Sequence, residues 1–234
     1  MLNKKIFPDI IAIVAAAGIG KRMNINIPKQ YLTIANKTVL EHVIDKLLLV
    51  QCIKNIVIVI NSNDYYFNKL SLSKNNKLTI VHGGISRFYS IINALRYINY
   101  TKWVLIHDAV RPCLHQDDLY KLLLITNYST IGGILATPVV NTIKVVNTNS
   151  NIKLANNTLN RSKLWQALTP QIFNFELLKY CFEQILKKNV LITDESSALE
   201  YFGYKPIVIQ GRSDNIKITS KSDITFINNY FSKF

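Results

Sequence analysis

The chain has 234 residues, 49% hydrophobic and 18% charged, which is ample for a packed core and excludes a disordered protein. Its 28 Lys+Arg against 14 Asp+Glu give a formal charge of +14, which favours anionic partners, although Lys, Asn and Ile are abundant throughout, as in an AT-rich coding sequence. The basic residues are scattered rather than clustered, and no apolar run approaches the length of a membrane span.

The elements follow in chain order. Residues 10–16, "IIAIVAA", read as a first strand. A leader-peptide reading competes there, with Lys4 and Lys5 ahead of the run and Ala15 to Ala17 as a cleavage site. Pro8 and Asp9 leave that run short, and the segment fits a buried parallel strand equally. The spacing of Val39, Leu40, Val43, Ile44, Leu47 and Leu48 predicts a helix over 38–50. Strands at 55–60 and 78–81 flank a short helix at 64–70. A helix over 86–98, a strand at 103–107, a helix over 116–126 and a strand at 132–140 complete the regular part. This rhythm predicts a Rossmann-like α/β fold: a mostly parallel twisted sheet with helices on both faces.

Beyond 140 the rhythm breaks. Two polar strand-like pieces, "TIKVV" and "NIKLA", joined by asparagines, predict a protruding β-arm at about 139–163. Helices at 174–187 and 193–202, strands at 205–211 and 215–219, and a closing helix at 222–231 follow. With no repeat or linker, residues 1–234 are read as a single domain carrying an inserted arm.

The loop "VAAAGIGKRM" (14–23) lies between known signals. As a P-loop it has Ala15 in place of the first Gly and Arg22 in place of the Ser/Thr; as a dinucleotide loop it has Met23 in place of the third Gly. A Gly-rich turn after a first parallel strand, followed by Lys21, Arg22 and Lys29, still suits phosphate, the alternative being a tight turn with solvated cations. Cys52, Cys113 and Cys181 are far apart and odd in number, which points to reduced thiols and a cytoplasmic protein. His107 beside an apolar strand reads as a satisfied structural histidine, and His42, His82 and His115 form no ligand spacing with any Cys. Asp108 ends the fourth strand, where open α/β sheets place ligands, and suits Mg²⁺ or a ribose hydroxyl. RNP strings, zinc-finger spacing and a basic stripe are absent, which argues against a nucleic-acid binder.

Six strings occur in order between about residues 8 and 231: "AAAGIGKRM....PKQY", "GGISRFYS", "HDAVRPC", "LWQALTPQ", "TDESSALE" and "GRSDNIKIT". Together they resemble the 2-C-methyl-D-erythritol 4-phosphate cytidylyltransferase family of nucleotidyltransferases. The resemblance implies transfer of a cytidylyl group from CTP to methylerythritol phosphate in the non-mevalonate isoprenoid pathway, with pyrophosphate released and Mg²⁺ as cofactor. It implies Arg22 and Lys29 as the catalytic cations, and Ala16, Ala17 and Gly18 as the nucleotide loop. Gly84 and Ser90 match the cytosine-reading positions, and Asp108, Ala109 and Arg111 lie near the nucleotide, with Asp108 the metal ligand. Thr142, Arg161, Asp214 and Lys217 match the acceptor-binding positions. The arm of such enzymes exchanges between two subunits, implying a homodimer with shared sites. Asn141 and Asn160 stand where the family commonly has Asp. A ribitol 5-phosphate cytidylyltransferase shares the fold and loop; "LWQALTPQ" and "TDESSALE" favour the first reading.

Overall fold

The computed structural model describes residues 7–18, 20, 27–147 and 152–232. Strand β1 (Ile10–Ala15) leaves the sheet into the glycine loop. A small hairpin, β2 (Thr33–Ile34) with β3 (Lys37–Thr38), feeds helix α1 (Val39–Leu48). Its start is fixed by a capping box: the Glu41 amide donates to Thr38 Oγ1 at 3.2 Å, and the Thr38 amide donates to Glu41 Oε2 at 2.7 Å. Next come β4 (Ile53–Ile60) and β5 (Leu78–His82). Between them, where a short helix is predicted at 64–70, the chain makes two 3-10 turns, Phe67–Lys69 and Ser71–Lys74. Helix α2 (Arg87–Tyr97), β6 (Trp103–Asp108), α3 (Gln116–Leu123) and β7 (Gly132–Pro138) follow as expected.

The arm is an antiparallel pair, β8 (Ile143–Asn147) and β9 (Leu154–Leu159). The second strand therefore lies later than the "NIKLA" piece. After it comes a strand that sequence reasoning missed, β10 (Trp165–Asn174). Pro170 interrupts its pattern, and the pairing with β7 shifts register between Ala167 and Gln171, so a bulge accommodates the missing N–H. Helices α4 (Phe175–Lys188) and α5 (Glu195–Tyr201), strand β11 (Ile207–Gln210) and helix α6 (Lys221–Phe231) complete the chain.

The main sheet runs β11-β7-β10-β6-β1-β4-β5, and β10 is antiparallel to both its neighbours while the other pairings are parallel. Alternation along β4 explains the layers. Ile56, Ile58 and Ile60 pack with Leu40, Ile44, Leu47 and Leu119 of α1 and α3; Val57 and Val59 pack with Ile91, Leu95, Phe182 and Leu199 of α2, α4 and α5. Strand β6 is buried at all six positions, as a central parallel strand covered on both faces must be. The chain moves from β1 outward to β4 and β5, then returns to the other side of β1 as β6. That reversal opens a crevice at the carboxyl ends of β1, β4 and β6.

Residues 215–219, predicted as a strand, form an extended loop with no partner strand. Its alternation is real but serves docking. Asn215 and Ile218 are buried, Ile218 within a small cluster with Ile34, Val39, Cys113 and Ile227 of α6, while Lys217 faces the crevice. No helix among the described residues is long and apolar enough to cross a membrane.

Gly132 opens β7 at φ +124, and an added Cβ would overlap the Ile172 carbonyl of β10. Gly132→Ala is expected to lower stability by about 2 kcal/mol or more, because neither the backbone angle nor the strand pairing can yield. Urea unfolding of the two proteins measures it.

Candidate active site

The crevice is a cleft of about 480 Å³ lined by the loop after β1 (Ala17, Gly18 and Gly20), by Gly84 to Arg87 and Ser90 before and within α2, and by Lys29, Asp108 and Lys217. The loop leaves the sheet under tight control. The Ala16 amide donates to Val59 O at 2.8 Å, and its carbonyl accepts Gln30 Nε2 at 2.6 Å. Ala16 is buried while Gly18 is open, and a Cβ on Gly18 would meet nothing. At Gly83 the loops close: a Cβ there would lie 2.6 Å from Ala17 Cβ and 2.8 Å from Ser90 Oγ. Only glycine lets the α2 entry approach the β1 loop so closely.

Ser90 is buried with its hydroxyl committed. Oγ donates to Ser86 O at 2.9 Å and accepts the Gly84 amide at 3.2 Å. Its single proton is spent, so what remains is one acceptor lone pair.

Asp108 closes the cleft floor. Arg87 Nε donates to Oδ1 at 3.2 Å, while Lys217 Nζ lies 2.9 Å and Arg111 Nε 3.5 Å from Oδ2. Burial opposes ionisation of this carboxyl; Arg87, Lys217 and Arg111 outweigh it and hold the group well below the usual carboxylate range. Arg87 in turn is clasped by Glu195, Nη1 to Oε1 at 2.6 Å and Nη2 to Oε2 at 3.1 Å. Burial works against the Arg87 charge, but Glu195 and then Asp108 raise its pKa above the ordinary value. Sequence reasoning assigned no role to Arg87 or Glu195. The signal was present in the "GGISRFYS" and "TDESSALE" strings, but a pair 108 residues apart has no sequence spacing to betray it.

Behind Asp108 runs a polar chain. The Asp108 amide donates to Thr169 Oγ1 at 3.0 Å, Thr169 Oγ1 lies 2.9 Å from His107 Nδ1, and His107 Nε2 lies 3.3 Å from Arg111 O. A carbonyl only accepts, so Nε2 carries the proton and Nδ1 accepts from Thr169. Asn215 Nδ2 adds a bond to Thr169 O at 2.9 Å. His107 is thus the satisfied structural histidine expected of it, pushed down to about 3 by burial and by Arg111 against the pull of Asp108. The thiols offer no nucleophile: burial pushes Cys113 up to about 12 and Cys181 up to about 11.

Lys29 sits on a 3-10 turn, its chain buried against Gly20, its ammonium donating to the carbonyls of Ile218 at 3.3 Å and Thr219 at 3.2 Å. It therefore ties the β1 loop to the 215–219 loop across the cleft. Arg22 and Lys21 lie outside the described residues. Ala109 is buried, its amide donating to Ala15 O at 3.2 Å. Arg111 is held beneath the cleft, Nη1 donating to Asn215 O at 2.7 Å. The four residues grouped as acceptor-binding do not gather in one chain. Lys217 is in the cleft. Asp214, paired to Arg212 at 2.8 Å, borders a separate hollow of about 890 Å³ at the root of the arm. Thr142 and Arg161 are exposed on the arm, where Arg161 Nη1 donates to Val140 O.

A nucleotide-sized cleft lined by Lys29, Arg87 and Lys217 at the carboxyl ends of a Rossmann-like sheet is the arrangement of a nucleotidyltransferase. The family model described as IspD, 2-C-methyl-D-erythritol 4-phosphate cytidylyltransferase, matches residues 10–233. Proteins of that name from Baumannia cicadellinicola and Blochmanniella pennsylvanica are each 51% identical to this chain, over 97% of it and 94% of the former, and over all of it and 98% of the latter. The crystal structure of the Francisella tularensis enzyme superposes with a TM-score of 0.79 at 36% identity, covering 94% of this chain and 98% of that one. The Anaerococcus prevotii synthase gives 0.82 at 29% identity, covering 96% and 99%. The chain belongs to the 2-C-methyl-D-erythritol 4-phosphate cytidylyltransferase family, and its activity is cytidylyl transfer in isoprenoid biosynthesis.

His107 titrates near 3 in the fold against about 6.5 in an unperturbed chain. Between those values the unfolded chain binds a proton that the folded one does not, so stability rises with pH there and is complete above about 6.5. Lowering the pH from 7 to 5, above the carboxylate range, is expected to cost up to about 1.4 kcal/mol per unit below 6.5. Comparing urea midpoints at the two pH values with those of His107→Gln, which should lose that slope, checks it.

Proposed function

We propose that the cleft binds CTP with its base at Gly84 and Ser90, its phosphates over Ala17 and Gly18, and its α-phosphorus facing Lys29 and Arg22. The observation that carries this reading is that Lys29 lines the same cleft as the buried Asp108 and its partners Arg87 and Lys217. The acceptor's phosphate oxygen attacks the α-phosphorus. A P–O bond forms there as the bond to the bridging oxygen of the β-phosphate breaks, and the electron pair leaves with pyrophosphate. The attacking oxygen is already anionic, so no general base is needed; positioning and charge stabilisation carry the rate. Ser90 supports the choice of base, because a hydroxyl left only with an acceptor suits the exocyclic amine of cytosine and opposes the carbonyl of uracil.

Magnesium belongs to this reading in a restricted form. The described residues contain no group of three or more His, Cys, Asp or Glu able to hold a metal. Three cations already take most of the lone-pair directions of Asp108. This donor set fits an ion carried in on the triphosphate, with Asp108 as its one protein oxygen, rather than a protein-held cage. Bound there, Mg²⁺ supplies charge neutralisation of the phosphates.

The arm supports a homodimer. A two-stranded hairpin is marginal alone, and this one leaves Val146 41% and Leu154 62% exposed with no core of its own. We read it as reaching a second copy, where Thr142 and Arg161 complete the acceptor site beside Asp214 and Lys217 of that copy. The acceptor is methylerythritol phosphate rather than ribitol 5-phosphate, as the family membership favours.

Ser90→Ala is expected to narrow the preference for CTP over UTP by roughly tenfold, read from kcat/KM for each nucleotide. Lys29→Ala and Arg161→Ala are each expected to lower turnover by roughly a hundredfold. Mixing the two variants should restore about a quarter of the wild-type rate, since half the dimers are mixed and one of their two sites regains both residues. A monomer in sedimentation that keeps full activity would refute the shared site.

A further inference from the structure

Glu195 has no access to the cleft, being wholly buried, yet it determines what the cleft presents. Its two oxygens take both terminal nitrogens of Arg87, and the remaining Arg87 Nε is the donor to Asp108 Oδ1. A planar guanidinium gripped bidentately cannot rotate without losing both bonds. The Asp108 carboxylate is therefore fixed on one edge by a group whose orientation Glu195 sets, and on the other by Lys217 and Arg111.

Glu195 is itself held to the sheet. It is the first residue of α5, after the cap Asp194, which accepts the Ser197 amide at 3.0 Å. Gln171, buried on β10 opposite Ile106 of β6, donates from Nε2 to Asp194 Oδ2 at 2.9 Å and accepts the Ser196 amide on Oε1 at 3.1 Å. Strand β10 thus grips the start of α5, α5 places Glu195, Glu195 grips Arg87, and Arg87 returns to the end of β6.

We propose that Glu195 is a positioning residue for cytidylyl transfer, acting through Arg87 to hold the Asp108 carboxylate in the orientation that faces the nucleotide. This rests on the reading of Asp108 as a nucleotide-facing group. Removing the Glu195 charge frees Arg87 to turn wholly to Asp108, which draws the carboxylate out of line, although Glu195 itself does not reach the cleft.

The test uses steady-state kinetics with CTP and methylerythritol phosphate, together with thermal melting, on the full chain. Glu195→Gln is expected to lower kcat about tenfold or more, whereas on an Asp108→Asn background the same change costs less than about twofold, because the path it acts through is already broken. A residue that merely holds α5 in place would cost the same factor in both backgrounds, and that result would overturn the proposal. The double variant Arg87→Gln/Glu195→Gln removes both charges and is expected to recover the wild-type melting temperature without recovering kcat; recovery of both would make the pair structural only. Should Glu195→Gln not fold, Glu195→Asp, which keeps the charge but shortens its reach to Arg87, takes its place in the two-background comparison. Asp108→Asn losing tenfold or more while Glu195→Gln keeps its rate within about twofold sinks the positioning role and leaves the site reading intact. An unchanged Asp108→Asn sinks both.

Discussion

A carboxylate buried at the end of a fully buried strand must be matched by cations, and Asp108 imposes that requirement on the whole molecule. An uncompensated charge there would cost several kcal/mol. Its partners come from three places: Arg87 at the start of α2, Arg111 on the loop after β6, and Lys217 on the extended loop before α6. Each of these segments is thereby tied to the end of β6 by an ion pair. The cleft is thus defined by one ion network as much as by the backbone around it.

The fold supplies that network with fixed anchor points. The return of the chain from β5 to β6, on the far side of β1, brings the β1 loop and the β6 end together. Strand β10 then enters antiparallel beside β6 and delivers Thr169 to the Asp108 amide and to His107. The same strand clamps α5 through Gln171, so one element supports both the carboxylate and the glutamate that steers its arginine partner. Lys29 closes the opposite wall by binding the carbonyls of Ile218 and Thr219. Polar groups that would be costly to bury singly are joined into chains, with Arg111 Nε and Asn215 Oδ1 left without a hydrogen-bond partner among the described residues.

The arm obeys a different economy. Its strands satisfy each other's backbone but leave apolar side chains in water, and its root borders the hollow next to Asp214. Such a segment is stable when something covers it. The chain thereby separates two regions: the sheet end carries the cleft around Asp108, while Thr142 and Arg161 lie exposed on the arm.

The helices and parallel strands were legible in the sequence because their causes are local: alternation in β4, the periodic apolar face of α1 and the capping pairs Thr38–Glu41 and Asp194–Ser197 all lie within a few residues. The ordered strings also made the family legible, together with Lys29, Asp108 and Lys217 as cleft residues. Strand β10 was hidden because Pro170 breaks a pattern that only the bulge against β7 repairs. Residues 215–219 misled in the opposite sense, since an alternation that docks Ile218 and aims Lys217 is indistinguishable in sequence from one that builds a sheet. The bidentate grip of Glu195 on Arg87 across 108 residues belonged wholly to tertiary structure. Sequence by itself determined most of the helices and parallel strands and the family, because propensity, capping and ordered motifs act over short range. Only the packed fold decided which charges meet, because burial and pairing depend on strand order and on segments far apart along the chain.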